Sequence, residues 1–221
     1  MTTATQVRVP VGDAALDGDL VVPDGAAGIV LFAHGSGSSR HSRRNRMVAE
    51  KLNGQGFGTL LVDLLTAEEE EVDRVTAEPR FDIDLLAGRL IGATDWLREQ
   101  PTTSSLGIDL FGASTGAAGA LVAAAERPGE VGAVVSRGGR PDLAGDALPR
   151  VRAPTLLIVG GRDPVVLELN RQAQEHLHTE NQLVVVPGAT HLFEEPGALE
   201  VVSSLAAEWF SRYLRSEGDG R

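Results

Sequence analysis

The sequence contains no cysteine, which excludes a disulfide framework, a thiolate metal site and a thiol nucleophile. Any nucleophile it carries must be built on oxygen or nitrogen. No apolar run approaches the roughly 20 residues that a membrane-spanning helix needs, because Gly, Asp or Ser interrupts each one within about eight residues. Positive charge is also scarce. Against 31 Asp and Glu there are 20 Lys and Arg, a formal net charge of -11 at pH 7, and such a field repels nucleic acid and anionic membranes. Met1 to Pro10 holds no basic stretch followed by an apolar one, so it does not read as a secretory signal, and the expected location is the cytoplasm. With 221 residues, 42% of them hydrophobic and 23% charged, the chain is long enough for one folded domain with a sizeable core. The expected domain is 1–221, with the Gly-rich, charged tail at about 215–221 frayed.

What is present is a change of pattern along the chain. Val7, Val9 and Val11 alternate with polar residues, as do Leu16, Leu20 and Val22, and Gly12-Asp13 separates the two segments; this spacing predicts an antiparallel hairpin. Short continuous apolar runs follow at Ile29–Ala33, Thr59–Val62, Ile108–Phe111, Val131–Val135, Leu156–Val159 and Leu183–Val186. Continuous runs suit strands covered on both faces, as in a parallel sheet. Between them, Ile83, Leu86, Leu90, Ala93 and Leu97, and later Val202, Leu205, Trp209 and Tyr213, recur at helical spacing. Shorter helices are expected at about 43–55, 115–126 and 164–177. Alternation of strand and helix predicts an α/β fold: a mainly parallel sheet of about eight strands, helices on both faces, the hairpin at one edge, and no lid domain. The charge run Glu68 to Glu71 reads as a solvated loop or a helix start.

Chemistry is concentrated at Gly112-Ala113-Ser114-Thr115-Gly116, which follows one apolar run and opens an alanine-rich helical segment. In that context a G-x-S-x-G pentapeptide presents the serine on a sharp strand-to-helix turn. The N–H of Thr115 then lies at a helix N-terminus, suited to stabilising a developing oxyanion. The plain alternative is a serine N-cap with glycines for a tight turn. A serine hydroxyl needs a base, and there are five histidines. His41, His176 and His178 sit in polar surroundings. His34 and His191 both lie just past apolar runs, where open α/β sheets place ligands. Asp163, in Gly160-Gly161-Arg162-Asp163-Pro164, follows another such run; an Asp before a Pro is also a common helix start.

The chain order Ser114, Asp163, His191 resembles the α/β-hydrolase superfamily, from the front hairpin to Tyr213. Within it, the compact chain is most similar to the small dienelactone-hydrolase-like group. The resemblance implies a serine hydrolase with Ser114, Asp163 and His191 as catalytic residues, the backbone N–H groups of Ser36 and Thr115 as oxyanion hole, and His34 in a structural role. It implies a small carboxylic ester or lactone as substrate and no cofactor or metal. Dienelactone hydrolases proper use a cysteine nucleophile; Ser114 in its place favours plain ester hydrolysis. Asp142 and Asp146 are alternative acids. Acyl transfer, thioester or peptide cleavage would use the same residues, and a non-catalytic binding protein on this fold is the alternative from another class. Arg40, Arg43, Arg44 and Arg46, with Arg137 and Arg140, fall in segments expected near the site. They read either as surface ion pairs or, for Arg40 and Arg137 in particular, as a subsite for a substrate anion. The expected partners are a small molecule and at most further copies of the chain, a monomer or small homo-oligomer.

Overall fold

The computed structural model describes residues 3–213, so the tail expected to fray at about 215–221 lies outside the described residues. Among them, eight strands form one sheet: β1 (Thr5–Val11), β2 (Ala14–Val21), β3 (Gly28–Ala33), β4 (Gly58–Val62), β5 (Gly107–Ala113), β6 (Val131–Arg137), β7 (Thr155–Gly160) and β8 (Asn181–Val186). Their spatial order is β1-β2-β4-β3-β5-β6-β7-β8. The pairs β1–β2 and β2–β4 are antiparallel and all others parallel. The hairpin therefore heads a mainly parallel α/β sheet, as the alternation of patterns predicted.

The helices are α1 (Arg43–Asn53), α2 (Ala67–Thr76), α3 (Ile83–Glu99), α4 (Thr115–Glu126), α5 (Pro164–His176) and α6 (Ala198–Tyr213). Successive strand side chains point to opposite faces, so β3 feeds two cores at once. Ile29, Leu31 and Ala33 pack with Leu86, Leu90 and Leu121 from α3 and α4. Val30 and Phe32 pack with Val48 and Leu52 of α1 and Val202 and Phe210 of α6. Each large apolar side chain buried this way contributes about 1.5–3 kcal/mol, which is why the central strands read as unbroken apolar runs. β8 departs from that expectation. It lies at the sheet edge, where Val185 is exposed, because no further strand covers it.

The glutamate run starts α2. Thr66 Oγ1 accepts the Glu69 N–H at 3.2 Å and Glu69 Oε2 accepts the Thr66 N–H at 2.8 Å, a reciprocal cap. Glu68, Glu69 and Glu70 in the first turn also complement the helix dipole. No helix among the described residues is long and apolar enough to cross a membrane.

One buried carboxyl lies inside the sheet. Asp109 on β5 is buried, accepts the Ala133 N–H, and is pushed by burial up to about 8. The folded chain therefore holds a proton that the unfolded chain releases above about pH 4, and this group's contribution to stability is lost as pH rises from about 4 towards 8. Asp109→Asn keeps an acceptor for Ala133 without the ionisation. It should raise Tm at pH 8 by about 2–4 °C or more and change it little at pH 4, measured by calorimetry at both.

Candidate active site

Ser114 links β5 to α4 with φ 51 and ψ -124, a backbone state that a residue with a side chain reaches only under strain. The surrounding packing imposes it. A Cβ on Gly112 would lie 2.4 Å from Ala117 Cα, and one on Gly116 would lie 2.5 Å from the carbonyl oxygens of Ala33 and His34. Glycine at both positions lets β5, α4 and the end of β3 meet at one point. Two backbone hydrogen bonds then fix the turn: Ser114 N–H donates to Arg137 O at 3.3 Å, and Arg140 N–H donates to Ser114 O at 3.1 Å. The Ser114 side chain makes no capping hydrogen bond, so the plain N-cap alternative does not describe it.

The segment after β3 runs past this turn. The N–H groups of Ser36 and Thr115 have no backbone acceptor among the described residues. His34 is tied into the scaffold. Its Nε2 accepts the Leu64 N–H at 3.0 Å, which places the hydrogen on Nδ1, 3.0 Å from Gly35 O. Burial holds its pKa below the ordinary histidine value, in keeping with a neutral ring that both accepts and donates. This is the structural role expected for His34.

His191 and Asp163 come together from the loops after β8 and β7. Nδ1 of His191 lies 2.7 Å from Asp163 Oδ2, and the other carboxylate oxygen accepts the Val166 N–H at the start of α5 at 3.5 Å. One side chain thus caps a helix and orients an imidazole. The alternative acids are not brought to the ring: Asp142 is held by Arg140 at 2.7 and 2.8 Å, and Asp146 is exposed in the 3-10 segment Pro141–Arg150. His191 lines a cavity of about 240 Å³ together with Ser114, Ser36 and Arg137. No direct hydrogen bond joins Ser114 to His191 among the described residues, a spacing common before substrate closes a site. His41, His176 and His178 are exposed. A larger groove of about 560 Å³, lined by Thr115, Leu65, Leu86 and the Asp73–Arg80 ion pair, shares Gly35, Ser36, Ser38 and Ser42 with the first cavity. The two spaces therefore adjoin at the 35–38 loop, as two arms of one depression.

The arginines divide. Arg40 does not line the Ser114 cavity: its backbone N–H and guanidinium are both bound by Asp63, and Asp19 lies 3.7 Å away. The expectation that Arg40 binds a substrate anion is corrected accordingly, since two carboxylates already neutralise it away from that cavity. Arg46 pairs with Asp19, Arg44 with Glu194 and Arg140 with Asp142. Arg137 is buried at 6% exposure in the wall of the Ser114 cavity.

A profile of the dienelactone hydrolase family matches residues 16–214. The chain belongs to the dienelactone hydrolase family. A dienelactone hydrolase structure from Anabaena variabilis is 63% identical, with TM-score 0.95, over 97% of this chain and 99% of that one. Est1E from Butyrivibrio proteoclasticus shares the fold at 16% identity and TM-score 0.78, over 94% of this chain and 98% of its own. Two Mycobacterium tuberculosis proteins, each called "Putative phosphoribosyl transferase", are 62% identical over 213 residues, which is 96% of this chain and 47% of theirs. The chain spans about half the length of these curated relatives.

Sequence reasoning missed two residues of this hydrolase-family site. Phe193 is fully buried at φ 56, anchors the loop that carries His191, and lies 5.9 Å from the Arg137 guanidinium. Its place two residues after His191 was the available signal. Asn45, buried in the first turn of α1, accepts from Arg137 Nη2 at 3.2 Å; nothing in its sequence neighbours marks it.

The lowered pKa of His34 has a measurable consequence. Its neutral form is the one folding selects, so its contribution is present above pH 6.5 and is lost as pH falls below it. His34→Ala orphans the Leu64 N–H and should cost about 1–3 kcal/mol at pH 7.5. Urea unfolding of the wild type and the variant from pH 7.5 to 5 should show that gap narrowing as the solution becomes more acidic.

Proposed function

We propose that this chain is a serine hydrolase that cleaves a small carboxylic ester or lactone through an acyl-enzyme intermediate. The observation that carries this reading is the placement of Ser114, on a strained strand-to-helix turn, in one cavity with an imidazole whose Nδ1 is held by Asp163 at 2.7 Å. With its hydrogen on Nδ1, the ring leaves the Nε2 lone pair free to act as a base.

Ser114 Oγ attacks the acyl carbon while its proton passes to His191 Nε2, and the Asp163 carboxylate stabilises the imidazolium that forms. The carbonyl oxygen becomes an oxyanion bound by the Ser36 and Thr115 N–H groups. Collapse breaks the bond to the alcohol oxygen, which takes the proton from Nε2 and departs. Water then gives its proton to Nε2 and attacks the acyl carbon, and that proton returns to Ser114 Oγ as the acid is released. Because His191 must reach the departing oxygen, the alcohol occupies the 240 Å³ arm, and the acyl group occupies the arm beyond Thr115.

Acyl transfer would replace the water with another nucleophile at the same residues. The transferase name carried by the M. tuberculosis proteins belongs to chains about twice this length, and the match of this chain to a hydrolase family is the more specific guide to its own chemistry.

A fluorophosphonate should label one peptide, that containing Ser114, as fluoride leaves and a phosphorus–oxygen bond forms. Labelling should be absent in Ser114→Ala and much slower in His191→Ala. Both variants should keep the wild-type melting behaviour and lose at least about a thousandfold in kcat on an ester such as p-nitrophenyl acetate, without the losses adding in the double variant. Label on another residue, or Ser114→Ala keeping more than about a tenth of turnover, would overturn the assignment.

A further inference from the structure

Arg137 carries a charge that nothing in the described structure neutralises. It is buried, no Asp or Glu pairs with it among the described residues, and no Asp or Glu lines the 240 Å³ cavity in whose wall it lies. Its Nε has no partner at all. The contacts it has are neutral: the Asn45 side-chain oxygen at 3.2 Å and the Phe193 ring. Burial and the neighbouring Arg44 lower its pKa to about 10, so it remains a cation at neutral pH, held where a bare cation is costly.

The N-terminal turn of α1 also lines the cavity, contributing Ser42, Arg44 and Asn45, and Asn45 is in direct contact with Arg137. That turn is built against the usual rule. It holds no acidic residue, and Arg43 and Arg44 occupy the positive end of the helix dipole. The N–H groups of Arg43 and Arg44 have no backbone acceptor among the described residues, whereas the Asn45 N–H is capped by Ser42 Oγ at 3.3 Å. Arg137 fixes the Asn45 oxygen, which leaves the Asn45 Nδ2 group, without a partner among the described hydrogen bonds, to face other acceptors. A helix N-terminus and a buried arginine thus both line one small cavity beside Ser114 and His191.

We propose that this arm is a subsite for a phosphate monoester group carried on the alcohol half of the ester. The location follows from the proposed function on which it rests, since the arm containing His191 receives the departing alcohol. The class follows from charge and shape. Arg137 and the helix terminus together exceed one positive charge, which suits the -1.5 to -2 of a phosphate monoester better than a carboxylate. Donors from two separate elements, the end of β6 and the start of α1, suit a group with three acceptor oxygens. The products are a free acid and a phosphorylated alcohol; only the acyl–oxygen bond breaks and the phosphate is untouched.

The test compares initial rates at low ionic strength for four esters. They are 2-acetoxyethyl phosphate, 4-acetoxybutanoate, neutral 2-methoxyethyl acetate, and ethyl 3-phosphonopropanoate, which puts the anion on the acyl half. The first should exceed the neutral ester in kcat/KM by about tenfold or more, the size expected for hydrogen bonds to a charged group, and the margin should shrink as salt is added. Because Arg137 also touches Phe193, the readout for Arg137→Gln is the ratio of the two rates, which should fall to near one whatever happens to the absolute rates. In Arg44→Gln the ratio should fall partway. Inorganic phosphate gives a readout without turnover: it should raise the Tm of the wild type and leave that of Arg137→Gln unmoved.

A wild-type ratio near one, a ratio retained in Arg137→Gln, or a greater preference for the acyl-side phosphonate overturns the subsite. A rate on 4-acetoxybutanoate above that on the phosphate overturns its assignment to a dianion. If no ester is cleaved and Ser114 is not labelled, the proposed function fails and the assignment to an ester's alcohol half fails with it, and the phosphate-dependent rise in Tm then decides the phosphate site alone: present it stands, absent it falls.

Discussion

The site depends on a backbone constraint at Ser114. A residue with a side chain held at φ 51 costs about 1–3 kcal/mol, and the close approach of β5, α4 and the end of β3 leaves it no alternative. The same constraint organises what surrounds it. Through the bonds from Ser114 N–H to Arg137 O and from Arg140 N–H to Ser114 O, the turn is locked to the end of β6. The position of the serine hydroxyl and the position of the Arg137 wall are therefore one structural decision. The 35–38 loop lines both of the adjoining cavities beside them.

Electrostatics supplies a second layer. In an acidic chain most arginines find carboxylates: Arg40 and Arg46 share Asp19, Arg40 also holds Asp63, and Arg140 holds Asp142. Such pairs chiefly settle which way the loops lie. Arg137 is the exception by burial. A chain with this many carboxylates leaves a buried guanidinium without any among the described residues, at the place where substrate chemistry is proposed, and an arrangement that disfavours the free protein is one that a bound anion would relieve.

Much of this was legible in the chain. Unbroken apolar runs such as Ile29–Ala33 can be buried on both faces only in a covered sheet, so they announced the α/β architecture, and the helices from Arg43 and Thr115 began where the pattern placed them. Gly112-x-Ser114-x-Gly116 announced the turn because only glycine tolerates the contacts at its two ends. The edge exposure of β8 was not legible, since an apolar run looks the same whether or not another strand lies beside it. Asp109 and Asn45 were not either, because a polar residue within a strand or a helix's first turn carries no local mark of burial.

The sequence by itself determined the family of folds, the elements and the strand-to-helix turn at Ser114, because periodicity, glycine placement and helix caps act over a few neighbouring residues. Tertiary structure alone decided which acid meets which base and which cation stays unpaired. Asp163 and Asp142 are both carboxylates that follow a sheet strand and lie at a helix start, yet one is 2.7 Å from the His191 ring and the other is taken by Arg140. Arg40 and Arg137 are chemically identical, yet one is held between Asp19 and Asp63 while the other is buried against Asn45 and Phe193. Those outcomes turn on distances between residues far apart in the chain, which sheet order and helix packing set and which no local pattern encodes.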